Sequence, residues 1–283
     1  MRSAILFRAA VAGALLVAPA AHSQQKSMLP ERDRPLALRT TPVYTVGVED
    51  GRESEMFSNV DQVAFDAQDN LYVLDRGNNR VQVFDRTGRF VRQVGKKGGG
   101  PGEFQAPLGL AVTTDGTLVV ADLGHRSYSL FGRDGRYQRS VPFGDEWMPM
   151  LGGVGMAPHP RGGIVTAARA APDLQPARAG TVEEKQTTPI LWEPLRAGTR
   201  ASRLYAVVEE VTVRTSNSPA GGRERRSFMV TGPAAFTPRL NWSVLPSGGL
   251  VVANTAGYTV KVVGTDGKIA RYIQKPMRER KVT

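Results

Sequence analysis

The chain has 283 residues, 41% of them hydrophobic, and carries a formal net charge of +11. That apolar share is enough for a buried core and excludes a chain disordered throughout. There is no Cys, which excludes disulfides, zinc–thiolate sites, thiol-linked lipid and a Cys nucleophile.

Arg2 and Arg8 flank the start of an apolar run, Ala9 to Ala18, and Ala21-His22-Ser23 fits a small-residue cleavage site before Gln24. This pattern predicts a secretory signal peptide over residues 1–23 and a periplasmic or secreted protein. The run is well short of the roughly 20 residues that a span needs, so no membrane span is expected after cleavage. Loss of Arg2 and Arg8 lowers the charge from +11 to +9. The remaining basic residues are scattered, with clusters only at Arg223-Arg225-Arg226 and Arg278-Arg280-Lys281. A solvated basic surface accounts for that distribution, and no nucleic-acid partner is expected.

After a linker over 24–42, internal repetition begins. Val63 to Asp75 aligns without gaps with Leu110 to Asp122 and with Trp242 to Asn254. The register continues from Val83-Phe84 and Gly88 to Leu130-Phe131 and Gly135, and to Val262-Val263 and Gly267. Each unit reads as four short strands rich in Val, Leu, Phe and Tyr, separated by Asp/Gly turns. Four antiparallel strands in about 40–50 residues is the pattern of a propeller blade. Period-2 alternation predicts that Leu71, Val73, Leu118, Val120, Leu250 and Val252 are buried between blades.

Two degenerate units are expected in the middle. One spans Gly153 to Thr166, with Ile190-Leu191-Trp192 as its third strand and Ala167 to Thr187 as a loop insertion. The other covers Leu204 to Phe236, with Val207-Val208 and Val211-Thr212-Val213 as strand pieces, Ser216 to Arg226 as a basic hairpin tip, and Ser227 to Val230 resuming the strand pattern. At the front, Tyr44 to Gly47 followed by Glu55-Met56-Phe57 repeats Arg92 to Gly95 followed by Glu103-Phe104. Tyr44 to Gly47 is therefore expected to be an outer strand without inner strands of its own. Ile269 to Ile273 already fills the outer place in the last unit. An open or gapped ring follows, closed only if the polypeptide continues past Thr283, and an unpaired edge favours association.

Asn78-Asn79-Arg80-Val81, within Val73 to Phe84, resembles the core of an NHL repeat, and Gly98 to Phe104 resembles its connector. The chain is similar to secreted bacterial six-bladed β-propeller proteins of the NHL-repeat type. The resemblance implies an all-β fold, a propeller of four-stranded blades over 43–283 with the last blade incomplete. It is closest over Ser58 to Phe143 and weaker over Thr237 to Pro276. Gly124-His125-Arg126-Ser127-Tyr128 departs from the repeat pattern.

Asp75, Asp122 and Asn254 share one repeat position. They could form a polar ring that holds a metal or ligand, or each could satisfy backbone N–H groups of the following turn. Recurrence in every unit favours the second. With His125 and Arg126 these are the candidate binding residues, and no catalytic residue is expected. His125 and His159 are the only His after residue 23, too few for a three-His zinc centre. Gly98 to Gly102 lacks the Lys-Ser/Thr ending of a phosphate loop, and no Gly-x-Ser-x-Gly elbow occurs. The expected function is a non-catalytic exported binding or scaffold protein that uses propeller loops to bind a protein or glycan, with no cofactor. The alternative is a metal-dependent lyase or lactonase, with His125 or His159 as base or with Glu55, Glu103, Asp122 and Asn254 around Ca²⁺ or another divalent ion.

Overall fold

The computed structural model describes residues 25–32, 37, 39–53, 55–144, 147–149, 155–170, 180–196, 203–217, 240–254 and 259–276. β1 (Gln25–Met28) comes first. The first sheet then runs β2 (Val60–Phe65), β3 (Leu71–Asp75), β4 (Arg80–Phe84) and β5 (Phe90–Val94). The second runs β6 (Pro107–Val112), β7 (Leu118–Asp122), β8 (Ser127–Phe131) and β9 (Tyr137–Pro142). Both are plain antiparallel meanders in sequence order. The closing hairpin of each turns at a Gly with positive φ, +82° at Gly88 and +79° at Gly135, where an L side chain would be strained. Asp85 Oδ1 accepts the backbone N–H groups of Thr87 and Arg89 inside the first of these turns.

The third sheet contains β10 (Trp147–Pro149), β11 (Met156–Pro158), β12 (Ile164–Ala170), β13 (Gly180–Glu193) and β14 (Arg203–Asn217). Here the structure corrects the sequence reading. Leu204 to Asn217 does not open a separate unit: β14 pairs with β13 from Trp192↔Arg203 to Gly180↔Asn217 and is the fourth strand of this same sheet. Ala167 to Thr187 is not one loop either, since Ala167–Ala170 belongs to β12 and Gly180–Thr187 to β13. The rest of that expected insertion, 171–179, and the rest of the expected fourth unit, 218–236, lie outside the described residues. The last sheet is β15 (Leu240–Val244), β16 (Leu250–Asn254), β17 (Thr259–Val263) and β18 (Ile269–Gln274), and β1 adds to the outer edge of β18 in parallel. Residues expected in the linker therefore cover an edge that would otherwise present unpaired backbone groups.

The sheets pack face to face in chain order. Tyr72, Leu74, Val81 and Val83 on the forward face of the first sheet meet Leu110, Val112, Leu118 and Val120 on the rear face of the second. A hydrogen bond from Leu110 N–H to Gln62 Oε1, 2.8 Å, ties the two inner strands. Ala111, Val119, Tyr128 and Leu130 then pack against Ile164 of the third sheet and Leu195 just past its β13. Val165 and Ile190 pack against Leu250, Val252 and Val263 of the last. Leu118, Val120, Leu250 and Val252 are buried between sheets, as the alternation predicts, whereas Leu71 and Val73 are buried under Tyr44, Val46 and Phe57 and not against another sheet. Val120 has no exposed surface, and Val120→Ala is expected to cost roughly 1–3 kcal/mol for the lost apolar burial. A denaturant midpoint that does not move would contradict this register.

Tyr44 to Gly47 forms no strand. It nevertheless lies where an outer strand would. Tyr44, Val46 and Phe57 pack on Leu71, Val73 and Phe84, as Val94 and Phe104 pack on the second sheet one repeat later.

Candidate functional site

Asp75 and Asp122 end the second strand of their sheets, on the face that also carries the connectors between sheets. Both are fully buried. A buried carboxylate must find donors, and half of these donors lie far back in sequence. Asp75 Oδ1 accepts the N–H groups of Ser58 and Asn59 at 3.0 and 3.2 Å. Asp122 accepts those of Gln105 and Ala106 at 2.9 and 2.8 Å. Each Asp thus pins the connector that leads into its own inner strand, 16–17 residues upstream. The following turn contributes as well: Asp122 Oδ1 takes the Gly124 N–H at 2.9 Å, and Asp75 Oδ2 takes Asn78 Nδ2 at 2.8 Å.

The two positions then diverge. Beside Asp75 sits Arg80, whose Nε donates to Oδ2 at 3.1 Å and whose Nη2 donates to the carbonyls of Glu53 and Met56 at 2.8 and 2.7 Å. One repeat later Arg80 is replaced by Ser127 and Asn78 by His125. His125 Nδ1 lies 2.7 Å from Asp122 Oδ2, and its Nε2 has no hydrogen-bond partner among the described residues. Arg126 takes the left-handed backbone position, φ +50°, that Asn79 takes at +52°; its carbonyl accepts the Phe143 N–H at 2.9 Å and its side chain is exposed. Asn254 ends β16 opposite Leu240, the corresponding backbone place, and its side chain lies outside the described part.

Burial raises the pKa of both carboxyls, but the donors together outweigh it. For Asp75 these are Asn78, Asn59, Ser58 and Arg80; for Asp122 they are Gln105, Ala106, His125 and Gly124. Both end below the ordinary Asp value.

His159 lies at the opposite end of the strands, in the turn before β12. It is fully buried, 5.1 Å from the Trp192 ring centroid, and its Nδ1 accepts the Arg161 N–H at 3.1 Å. Burial, then the Arg161 charge, lower its pKa. The structure therefore does not bring His125 and His159 together. Nor do the expected acidic ligands converge. Glu55 is engaged by Arg52, and Glu103 by Lys96 and the Gly100 N–H. Among the described residues no group of three or more His, Cys, Asp or Glu could hold a metal ion.

Sequence reasoning missed the feature of this face that extends furthest. β12 pairs with β13 only as far as Ala167↔Ile190. Beyond a register shift at Thr187/Thr188, β13 and β14 continue alone from Thr187↔Glu210 to Gly180↔Asn217. At about 3.4 Å per residue this two-stranded ribbon reaches roughly 25 Å beyond the sheet, and a bulge is a common device for aiming such an extension.

Residues 50–137 match a family described as a 6-bladed beta-propeller. Over 88 residues the chain is 34% identical to the human E3 ubiquitin-protein ligase NHLRC1 and 36% identical to the rat protein. The matched stretch is 29% of this chain and spans 22% of each ligase. Among solved structures, a Bacteroides fragilis protein described as exported superposes with a TM-score of 0.51 at 15% identity, covering 89% of this chain and 60% of that one. The successive four-stranded sheets and these likenesses define a β-propeller. Its sheets are the blades, and over the matched 88-residue stretch they are similar to those of NHLRC1. No helix among the described residues is long and apolar enough to cross a membrane.

Proposed function

We propose that the protein is a non-catalytic exported scaffold that binds a protein or glycan through the propeller face carrying the blade connectors. The observation that carries this reading is the ribbon Gly180–Thr187/Glu210–Asn217 standing out from that face. Loops and extensions on a rigid scaffold are where recognition residues concentrate. The fully buried Asp75 and Asp122 are engaged by backbone N–H groups of the connectors, which suits a rigid frame rather than a ligand-binding ring. Export rests on the leader pattern of residues 1–23.

One observation favours the alternative. Asp122 fixes the His125 ring and leaves Nε2 without a partner among the described residues, the arrangement that orients a general base. A single experiment addresses both readings. The wild type, a variant with the ribbon shortened, and the His125→Ala/His159→Ala double variant are used to capture envelope proteins and glycans. The scaffold reading expects a specific partner that the double variant keeps and the shortened ribbon loses. Turnover of a captured compound that vanishes in the double variant would replace it with the lyase reading.

A further inference from the structure

The turn 123–126 of the second blade departs from its counterpart in the first at two adjacent positions. In the first blade both are asparagines with local work. Asn78 Nδ2 donates to Asp75 Oδ2 at 2.8 Å, and Asn79 takes the left-handed backbone position, φ +52°, which Asn tolerates. In the second, His125 and Arg126 stand there. Arginine is a poor choice for φ +50°, and strain held in a turn points to function. Its exposed side chain makes no ion pair or hydrogen bond among the described residues. His125 is fixed from behind. Asp122 accepts three backbone N–H groups besides, as an ionised carboxylate does, so Nδ1 is the donor to its Oδ2. In the neutral ring this leaves Nε2 as a covered acceptor with no donor among the described residues, while 23% of the side chain reaches the surface. The Gln105 side chain lies against both Gly124 and Gly99, which joins this turn to the connector that carries Lys96 and Lys97. Along this stretch Glu103 and Asp122 are both engaged, whereas Lys97 and Arg126 are exposed and make no ion pair among the described residues.

We propose that His125 and Arg126 form a binding site for a sugar acid, a glycan unit that carries a carboxylate and hydroxyl groups on one ring. Arg126 supplies a guanidinium fork for the carboxylate. A ring hydroxyl donates to His125 Nε2, the acceptor that lacks a donor, and Lys97 adds attraction from the connector. A fully ionised phosphate polymer satisfies the cations but brings no hydroxyl donor to Nε2, and the Asp or Glu side chain of a protein brings none beside its carboxylate. The site lies on the connector face but does not depend on the ribbon Gly180–Thr187/Glu210–Asn217, so it goes beyond the scaffold reading.

Calorimetric titration of the full chain with a mannuronate trimer, its methyl ester, the neutral mannose trimer and polyphosphate tests this. The first blade supplies the control variants, since His125→Asn and Arg126→Asn restore the residues found at 78 and 79. The wild type is expected to bind the mannuronate trimer at least ~10-fold more tightly than the methyl ester or the mannose trimer, the usual weight of a charge-assisted hydrogen bond. Arg126→Asn is expected to lose that preference while its melting temperature holds or rises, because Asn accepts the left-handed backbone. His125→Asn keeps a donor to Asp122, as Asn78 does to Asp75, and is expected to weaken trimer binding about 5-fold. Shortening the ribbon is expected to leave this binding unchanged. Equal affinity for the methyl ester overturns the proposal, as does binding that survives both substitutions, or polyphosphate binding as tight as the trimer's. A fall in melting temperature on Arg126→Asn marks the residue as structural and overturns it too. So does a wild type that takes up no trimer; ribbon-dependent capture of an envelope protein would then still uphold the scaffold reading, and failure of that capture alone leaves the sugar-acid site standing.

Discussion

Replacing Asp75 with alanine is expected to cost about 3–5 kcal/mol, enough to abolish much of the stability of a typical domain. Two losses combine. The N–H groups of Ser58 and Asn59 lose their acceptor where the connector enters β2, and Arg80, with 3% of its side chain exposed, is left without its buried counter-charge. Breaking a buried pair from one side is costly because the surviving charge stays desolvated. Glu53 does not compensate, since its carboxylate is 87% exposed and therefore screened. The check is urea unfolding of Asp75→Ala, Arg80→Met and the double variant. The double variant should be less damaged than the sum of the singles, because it removes both the charge and its partner. Additive costs would mean that the pair is not the origin of the effect. The comparison with Asp122→Ala separates the two contributions, because Ser127 replaces Arg80 there and the connector bonds, the Gly124 N–H and His125 are at stake without a buried Arg.

Most of the blade pattern was legible in the sequence because one constraint repeats. A strand buried on both faces needs mostly apolar side chains, and Leu71–Asp75 and Leu118–Asp122 satisfy this in one register that the sequence of Leu250–Asn254 repeats. Turn residues then fix the lengths between strands. The third blade escaped this reading because β13 and β14 outrun the repeat. Val207-Val208 and Val211-Thr212-Val213 have the β-branched composition of separate strands, and nothing local says that they are one strand paired back to Gly180–Trp192. Long-range pairing of this kind has no local marker. The same limit applies to the site. Their recurrence pointed to Asp75 and Asp122 as acceptors for N–H groups of the following turn. That their donors would also be the connector N–H groups 16–17 residues upstream did not follow from it, because the closing of a blade's inner strand against its second strand brings them together. His125 in the place of Asn78 was visible as a departure from the repeat, but its pairing with Asp122 emerges only with the geometry of the turn.

Stability is expected to fall as pH drops below about 4, where unfolded Asp side chains take up protons. The sign follows from the depressed carboxyls. Asp75 and Asp122 titrate below the ordinary Asp value in the folded protein, so the unfolded chain binds protons first as the pH is lowered. Their contribution is present above the unfolded pKa and is lost as the pH passes down through the folded one. Asp66 and Asp115, also depressed, act in the same direction from more exposed turns and therefore with smaller effect. Asp122→Asn isolates one carboxylate. Asparagine has nearly the shape of a protonated aspartic acid, but it offers one acceptor oxygen to donors that arrive at both carboxylate oxygens. The melting difference between wild type and Asp122→Asn should therefore be widest near neutral pH and narrow steadily as the wild-type carboxyl protonates in acid. Melting curves measured across that range decide the matter. A gap of constant width would show that the connectors are held by the shape of the side chain at position 122 and not by its charge.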